Sequence, residues 1–469
     1  MGAPLHSTRE ALRVLLISTY EMGRQPFGLA SPAAWLRAEG VDVECLDLSQ
    51  QRLDPDKVRR AQLIAFYLPM HTATRIATVA IRRTRELNPG ARLCAYGLYA
   101  PMSQELLHQL GVTDLVGGEF EGRLVELTRQ LRSVPGKHAD SAHVAVPAQV
   151  SLDRQHFMVP DRSGLPALKS YAHLLLPDGS RRVVGYTEAS RGCKHLCRHC
   201  PIVPVYRGQF RIVQRDVVLE DIRRQIACGA QHITFGDPDF FNGPAHAMAT
   251  VESLHREFPR LTYDVTIKIE HLLQHARHLP TLRDTGCTFV TSAVEALDDH
   301  VLNALQKGHT RADFLRVVEL FEQTGLVLSP TFVAFHPWTT LQSYREFLET
   351  IAALGLIENL APVQLCLRLL IPSGSLMLEE PEIRPLLGDF DAAKLTYPWR
   401  HPDPPVDALQ ARLEKLVHEL SHRNASRHSA FDQVWRTLEA VFDGETAFPP
   451  PPALISRSTI PYLTEPWYC

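Results

Sequence analysis

The chain has 469 residues, 45% of them apolar and 22% charged, and its Lys+Arg 49 against Asp+Glu 52 leave a formal net charge of −3. Such a length exceeds what one hydrophobic core serves and predicts two or three domains. The balanced charge gives no support to a nucleic-acid-binding surface, and no run reaches the roughly 18 uninterrupted apolar residues of a membrane span. The polar N-terminus does not read as a signal peptide, so a cytoplasmic location is expected. The nine cysteines would be reduced there, and a close group of them reads as metal-binding instead of disulfide-bonded.

Residues 1–134 alternate short apolar runs with amphipathic stretches. The runs lie at 13–18 (RVLLIS), 41–46, 63–68, 92–96 and 114–116, and helix-like segments at 31–39, 72–87 and 122–131 separate them. Strands alternating with helices predict a parallel sheet covered on both faces, a doubly wound Rossmann-like domain. Its ligand crevice would lie beyond the carboxyl ends of the strands. Tyr20, Glu21, Tyr96, Gly97 and Gly117, Gly118 and Glu119 sit at those ends and are the candidate lining residues. From 135 to 180 the periodicity fades and polar residues, Pro and Gly increase, which reads as a linker with one short element at 165–176.

A second alternating series occupies 181–400. Its apolar runs fall at 182–187, 232–235, 263–269, 288–293, 326–335 and 363–370, with helical patterns such as 217–228, 245–257 and 341–354 between them. Six such units suit an open, partial (β/α)6 barrel, whose chemistry sits at the strands' C-terminal mouth. The remainder, 401–469, predicts one or two amphipathic helices over 407–442, a proline run at 449–452 and an extended tail ending in Cys469.

The first loop of the expected barrel reads SRGCKHLCRHCPI, placing Cys193, Cys197 and Cys200 in C-x3-C-x2-C spacing. Three soft thiolates within eight residues can wrap one face of a [4Fe–4S] cubane and leave one iron open. An open iron can chelate the amino and carboxylate groups of S-adenosylmethionine (SAM) and position its sulfonium for one-electron reduction. A zinc site with His195 or His199 as fourth ligand is the alternative, as are three unrelated buried cysteines.

This motif, opening a βα barrel, resembles the radical SAM superfamily over residues 181–375. The resemblance implies several SAM contacts. The segment FGDPDFFNG stands where the family holds the methionine amino group, making Asp237 and Asp239 candidates, and a carboxylate facing an ammonium makes a charge-assisted hydrogen bond. Equally, Asp237 could cap the following turn. In VTIKIEHLL, Lys268 and Glu270 are expected to share a strand face and to reach SAM's carboxylate and ribose, or to pair with other charges. The fourth run ends at Glu295, followed by a Lys-Gly pair, and Glu295 is the candidate for the ribose hydroxyls. The family's glycine-rich adenine loop is absent, leaving residues 335–338 as adenine contacts and His336, Trp338 and Arg368 near the substrate.

Residues 1–134 resemble the cobalamin-binding domain that precedes many radical SAM barrels, through segments 28–49 and 114–127. The family's Asp-x-His-x-x-Gly element is missing, replaced by STYEMGRQPFG. The ending resembles radical SAM proteins whose tails continue as Cys-Sec/Cys-Ala-Glu-Pro, which implies a catalytic Cys469 and a selenocysteine beyond it. The leading expectation is therefore a radical SAM enzyme acting on a small-molecule or peptide substrate and fed by flavodoxin or ferredoxin, with cobalamin-dependent group transfer as one outcome. A cobalamin-free enzyme using Cys469, and a non-catalytic iron–sulfur or zinc scaffold, remain as alternatives.

Overall fold

A computed structural model describes residues 12–133, 146–442 and 462–464. The chain divides into two compact units, parted after Ser170.

In the first unit, β1 (Arg13–Ser18), β2 (Asp42–Asp47), β3 (Leu63–Tyr67), β4 (Arg92–Tyr96), β5 (Asp114–Gly118) and β6 (Gln149–Ser151) form one parallel sheet in the order β2-β1-β3-β4-β5-β6. Alternation along β1 sends Leu15 and Ile17 to one face and Val14 and Leu16 to the other, and both sets are buried, as period-2 geometry requires of a sheet covered twice. Helices Phe27–Ala38 and Glu121–Ser133 cover one face through Leu29, Ala33, Leu36, Leu124 and Leu127. Helix His71–Leu87 covers the other through Ala77, Ala80 and Ile81. The strand order reverses between β1 and β3, and the loops following those strands border the resulting crevice. Strand β6 carries no alternating pattern, because it is an exposed edge with Val150 at 43% exposure.

The second unit is built on β7 (His173–Leu175), β8 (Arg181–Thr187), β11 (His232–Phe235), β12 (Thr262–Thr266), β13 (Cys287–Glu295), β14 (Leu328–Phe332) and β15 (Tyr462–Leu463). They pair as β14-β13-β12-β11-β8-β7-β15, and the five from β8 to β14 are parallel. Strand β7 runs antiparallel to β8 and β15 antiparallel to β7. A short ribbon of β9 (Ser190–Gly192) and β10 (Phe210–Ile212) branches off at the end of β8. The sixth expected strand shrinks to one parallel bridge, Arg368 to Phe335, held by Phe335 N–H to Leu367 and Leu369 N–H to Phe335. Pro362 opens a short helical turn before it and Pro372 follows it, and neither can donate to a ladder. Helices Pro404–His422 and Arg427–Glu439 close the unit, burying Leu409, Leu413, Phe431 and Trp435. This is the α/β architecture expected, a doubly wound domain followed by a partial barrel and a helical C-terminal region. Among the described residues no helix is long and apolar enough to cross a membrane.

A buried polar network joins two central strands. His232 contacts Thr262 Oγ1 through Nδ1 at 2.8 Å and Asp264 Oδ1 through Nε2 at 2.8 Å, and Thr234 Oγ1 donates to the same oxygen at 2.6 Å. Removing one member of such a network strands the others without water. Asp264→Ala is therefore expected to cost about 3 kcal/mol, read as a lowered urea midpoint at unchanged m-value.

Candidate functional site

The three cysteines lie on the loop between β9 and β10, at the carboxyl end of β8. Gly192 begins the loop with φ +74, and a Cβ there would stand 2.3 Å from the Tyr206 ring, so the turn into the motif requires glycine. Asn242 clamps the entry from both sides, donating to Gly192 O at 3.2 Å and accepting from Lys194 N–H at 3.2 Å. Asp237 accepts from Ala189 N–H at 2.9 Å and from Ser190 Oγ at 2.6 Å, fixing the start of β9. Burial pushes its carboxyl up to about 7 despite those bonds. Within the loop Cys197 is buried and Cys193 and Cys200 are half-buried. Burial pushes the Cys193 thiol up to about 11 and the Cys200 thiol up to about 12. Thiols so disposed keep their protons until a metal displaces them.

Two carboxylates, one buried and one nearly so, grip the motif from opposite sides. Asp239 Oδ2 lies 2.6 Å from His271 Nδ1 and 3.5 Å from His195 Nε2. The two imidazoles meet at 3.2 Å, and His195 Nδ1 faces Lys268 Nζ at 3.1 Å. Burial alone would raise Asp239, yet the hydrogen bonds from His195 and His271 hold it down at about 2. Lys268 in turn pairs with Glu270 at 3.1 Å. On the other side, Glu295 Oε1 lies 3.1 Å from His199 Nε2 and 3.4 Å from Lys307 Nζ. Burial opposes its ionisation, but Lys307 and His199 hold it at about 2. Glu295 ends β13 at a register irregularity with φ +72, a left-handed conformation that costs a non-glycine residue about 1–3 kcal/mol. Gly308 closes the ring: a Cβ there would stand 2.8 Å from Glu270 Oε2.

The structure thus brings Asp239, Lys268, Glu270 and Glu295 around the cysteine loop. Lys268 and Glu270 do so by a different route from the expected strand. Strand β12 stops at Thr266, and Glu270 belongs to helix Ile269–Gln274, with Lys268 at its N-cap. Asp237 turns into the β8–β9 junction and makes structural hydrogen bonds there. His195 contacts His271 Nε2 and Lys268 Nζ through its two ring nitrogens. His271 and the buried His309 carried no signal of their own, while Lys307 is the lysine of the Lys-Gly pair. His309, whose ring nitrogens have no hydrogen-bond partner among the described residues, is pushed down to about 4, chiefly by burial. Arg368 does not face the mouth. It stacks on Trp399 at 3.5 Å and pairs with Asp407 at 2.7 Å.

In the first unit Tyr20 and Glu21 follow β1 at the crevice, with Glu21 accepting from Ser18 Oγ and Phe27 N–H at 3.2 Å each. Tyr96 corrects the sequence reading: its ring is fully buried in the core and its hydroxyl donates to Gly28 O at 2.8 Å. Gly97, Gly117 and Gly118 are tight against Leu68, Pro101 and Ser151 respectively, so local packing accounts for them. Glu119 is buried and accepts from Gln155 at 3.3 Å. Cys469 lies outside the described residues.

Residues 187–351 match the Radical SAM superfamily profile. The ribosomal protein uS12 methylthiotransferase RimO of Parabacteroides distasonis is 26% identical over 201 residues, a stretch covering 38% of this chain and 44% of that protein. The chain therefore spans less than half the length of this curated relative. The cobalamin-dependent S-adenosylmethionine radical enzyme OxsB superposes with a TM-score of 0.67 at 14% identity, over 91% of this chain and 72% of OxsB. The radical S-adenosylmethionine methyltransferase TsrM from Kitasatospora setae gives 0.58 at 19% identity, over 73% of this chain and 71% of TsrM. These two likenesses establish the fold. The profile match makes the barrel a radical SAM domain, a domain that works with a [4Fe–4S] cluster and SAM.

Two outcomes follow from the geometry. Lys307→Met leaves Glu295 buried beside His199 alone and is expected to cost about 3 kcal/mol in the cluster-free protein, measured by urea denaturation. Burial, only partly offset by Asp298, pushes His336 down to about 4. An unfolded histidine takes up its proton near about 6.5 while the folded ring stays neutral, so this residue's stabilisation is present above that pH and lost as pH falls toward 4. The Tm curve of His336→Asn between pH 7 and 5 is expected to be flatter than that of the wild type.

Proposed function

We propose that this chain is a radical SAM transferase in which Cys193, Cys197 and Cys200 hold a [4Fe–4S] cluster and the first unit holds cobalamin. The observation that carries the reading is the array of ionised, buried partners around the cysteine loop. When bound, the cluster supplies the electron that cleaves SAM and starts radical chemistry on the substrate. The chain's own residues do the rest. Asp239, kept ionised by His195 and His271, accepts from SAM's amino group. Lys268 meets its carboxylate, and Glu295, kept ionised by Lys307 and His199, accepts from the ribose hydroxyls. Because these carboxylates are already desolvated and oriented, SAM binds without reorganising them.

RimO is by name a methylthiotransferase, OxsB a cobalamin-dependent radical enzyme and TsrM a methyltransferase, and transfer of a one-carbon or sulfur-containing group is the common class. The substrate we assign is a small molecule or peptide, since the chain as a whole carries no excess of positive charge. The crevice beyond β1 and β3 suits a flat, polar cofactor held by Tyr20 and Glu21. The loop after β1 offers no imidazole, which favours either cobalamin held without a protein ligand from that loop or, as a second reading, a cobalamin-free enzyme. Catalysis in a reducing cytoplasm, and participation of Cys469, complete the proposal.

The test is anaerobic reconstitution with iron and sulfide, reduction with dithionite and assay for SAM cleavage, with hydroxocobalamin retention on gel filtration measured alongside. Cys197→Ala is expected to lose the cluster's visible absorbance and all cleavage while keeping the wild-type cobalamin retention. An intact cluster that never cleaves SAM overturns the enzyme reading. Cleavage without cobalamin retention leaves the second reading in its place.

A further inference from the structure

Away from the cysteine loop, a second pair of metal-ligating side chains stands at the end of helix Pro404–His422, whose last five residues read His-Glu-Leu-Ser-His. His418 and His422 are four residues apart, the spacing at which helical side chains lie one above the other on one face. Their ring centroids are 4.4 Å apart, and Nε2 of one lies 3.0 Å from Nε2 of the other. Metal–nitrogen bonds of about 2.0–2.1 Å, at square or tetrahedral angles, hold two ligand nitrogens about 2.9–3.4 Å apart. The two imidazoles therefore already stand at chelating separation.

The fold fixes that arrangement. Leu413, Val417 and Leu420 are buried on the other side of the helix, so its histidine face is held toward solvent, where His418 and His422 are both exposed. An N–H···N bond between two exposed rings competes with water and is worth little by itself. The last carbonyls of the helix surround His422, and the negative end of the helix dipole favours a cation there. Glu414, one turn earlier on the same stripe, is drawn away, since its Oε2 accepts from Gln410 Nε2 at 3.1 Å. The ligand set is then two imidazoles completed by water.

That set selects the ion. Magnesium and calcium take oxygen ligands, whereas neutral imidazole suits Ni(II), Cu(II) and Zn(II). The His-Glu-x-x-His spacing is also that of zinc hydrolases, with the Glu as general base. Here Glu419 and both histidines are exposed, which suits binding and is the opposite of a site that excludes water for catalysis. We infer that His418 and His422 form a surface chelate for one divalent transition-metal ion, independent of the cysteine loop and of the SAM chemistry. Bound there, the ion cross-links the final turn and fastens the helix end ahead of the short connection to helix Arg427–Glu439.

The test is anaerobic calorimetric titration of the reconstituted full chain with NiCl2, beside His418→Gln and His422→Gln. The wild type is expected to bind one Ni(II) per chain more than either variant, in the micromolar range, and to keep it in excess Mg(II). Losing one arm of the chelate is expected to weaken this site about 100-fold. Both positions are exposed, so the variants' far-UV circular dichroism and iron content are expected to match the wild type. Amide hydrogen exchange over residues 419–424 gives a second readout: Ni(II) is expected to slow it in the wild type and in neither variant. Equal Ni(II) binding by all three proteins, with a thiolate-to-nickel absorption band, places the ion on the cysteines and overturns the inference. Loss of the site in only one variant, or its displacement by Mg(II), overturns it as well.

Discussion

Two carboxylates, Asp239 buried and Glu295 nearly so, hold the cysteine loop in place. Asp239 and Glu295 are each desolvated, and a desolvated charge is tolerable only when paired. Their partners are drawn from the cysteine motif itself, His195 on one side and His199 on the other, and from the strand ends around it, His271 and Lys307. The loop is thereby tied to elements far away in sequence before any iron arrives. Moving it would strand both charges, which is why a segment with almost no regular structure can still present three thiols in a defined order.

The fold supplies those partners because parallel strands deliver their C-terminal residues to one rim. Asp237 and Asp239 follow β11, Lys268 and Glu270 follow β12, Glu295 ends β13, and the cysteines follow β8. The strain at Glu295, left-handed at a strand end, fits a residue positioned by its surroundings against its own backbone preference. Asp237 shows the complementary role. It is buried beside the site, yet its bonds go to the backbone and hydroxyl at the start of β9, so it shapes the loop instead of meeting a ligand.

The same loop faces two ways. Inward, it meets the carboxylates of Asp239 and Glu295; outward, it exposes Lys194 and Leu196.

What the sequence determined by itself was whatever depends on local spacing. The C-x3-C-x2-C motif, the alternation of β1 to β5 and of β8 to β14, and Glu295 with its Lys-Gly neighbour were legible, since each is a short-range pattern with a physical period. Strands β6 and β15 were not, because edge strands bury too little to impose alternation; β7 fell within the one short element read at 165–176, and the sixth barrel strand reduced to a bridge between prolines that cannot join a ladder. The tertiary structure alone decided which polar residues meet. Tyr96, at a strand end in sequence, turns into the core. Asp237 and Asp239 stand two residues apart and part company, one to the backbone and one to the imidazoles. His271 becomes a partner of Asp239 without any motif to announce it. Pairing of buried charges is set by distances across the rim of the barrel, and those distances exist only once the strands have closed around it.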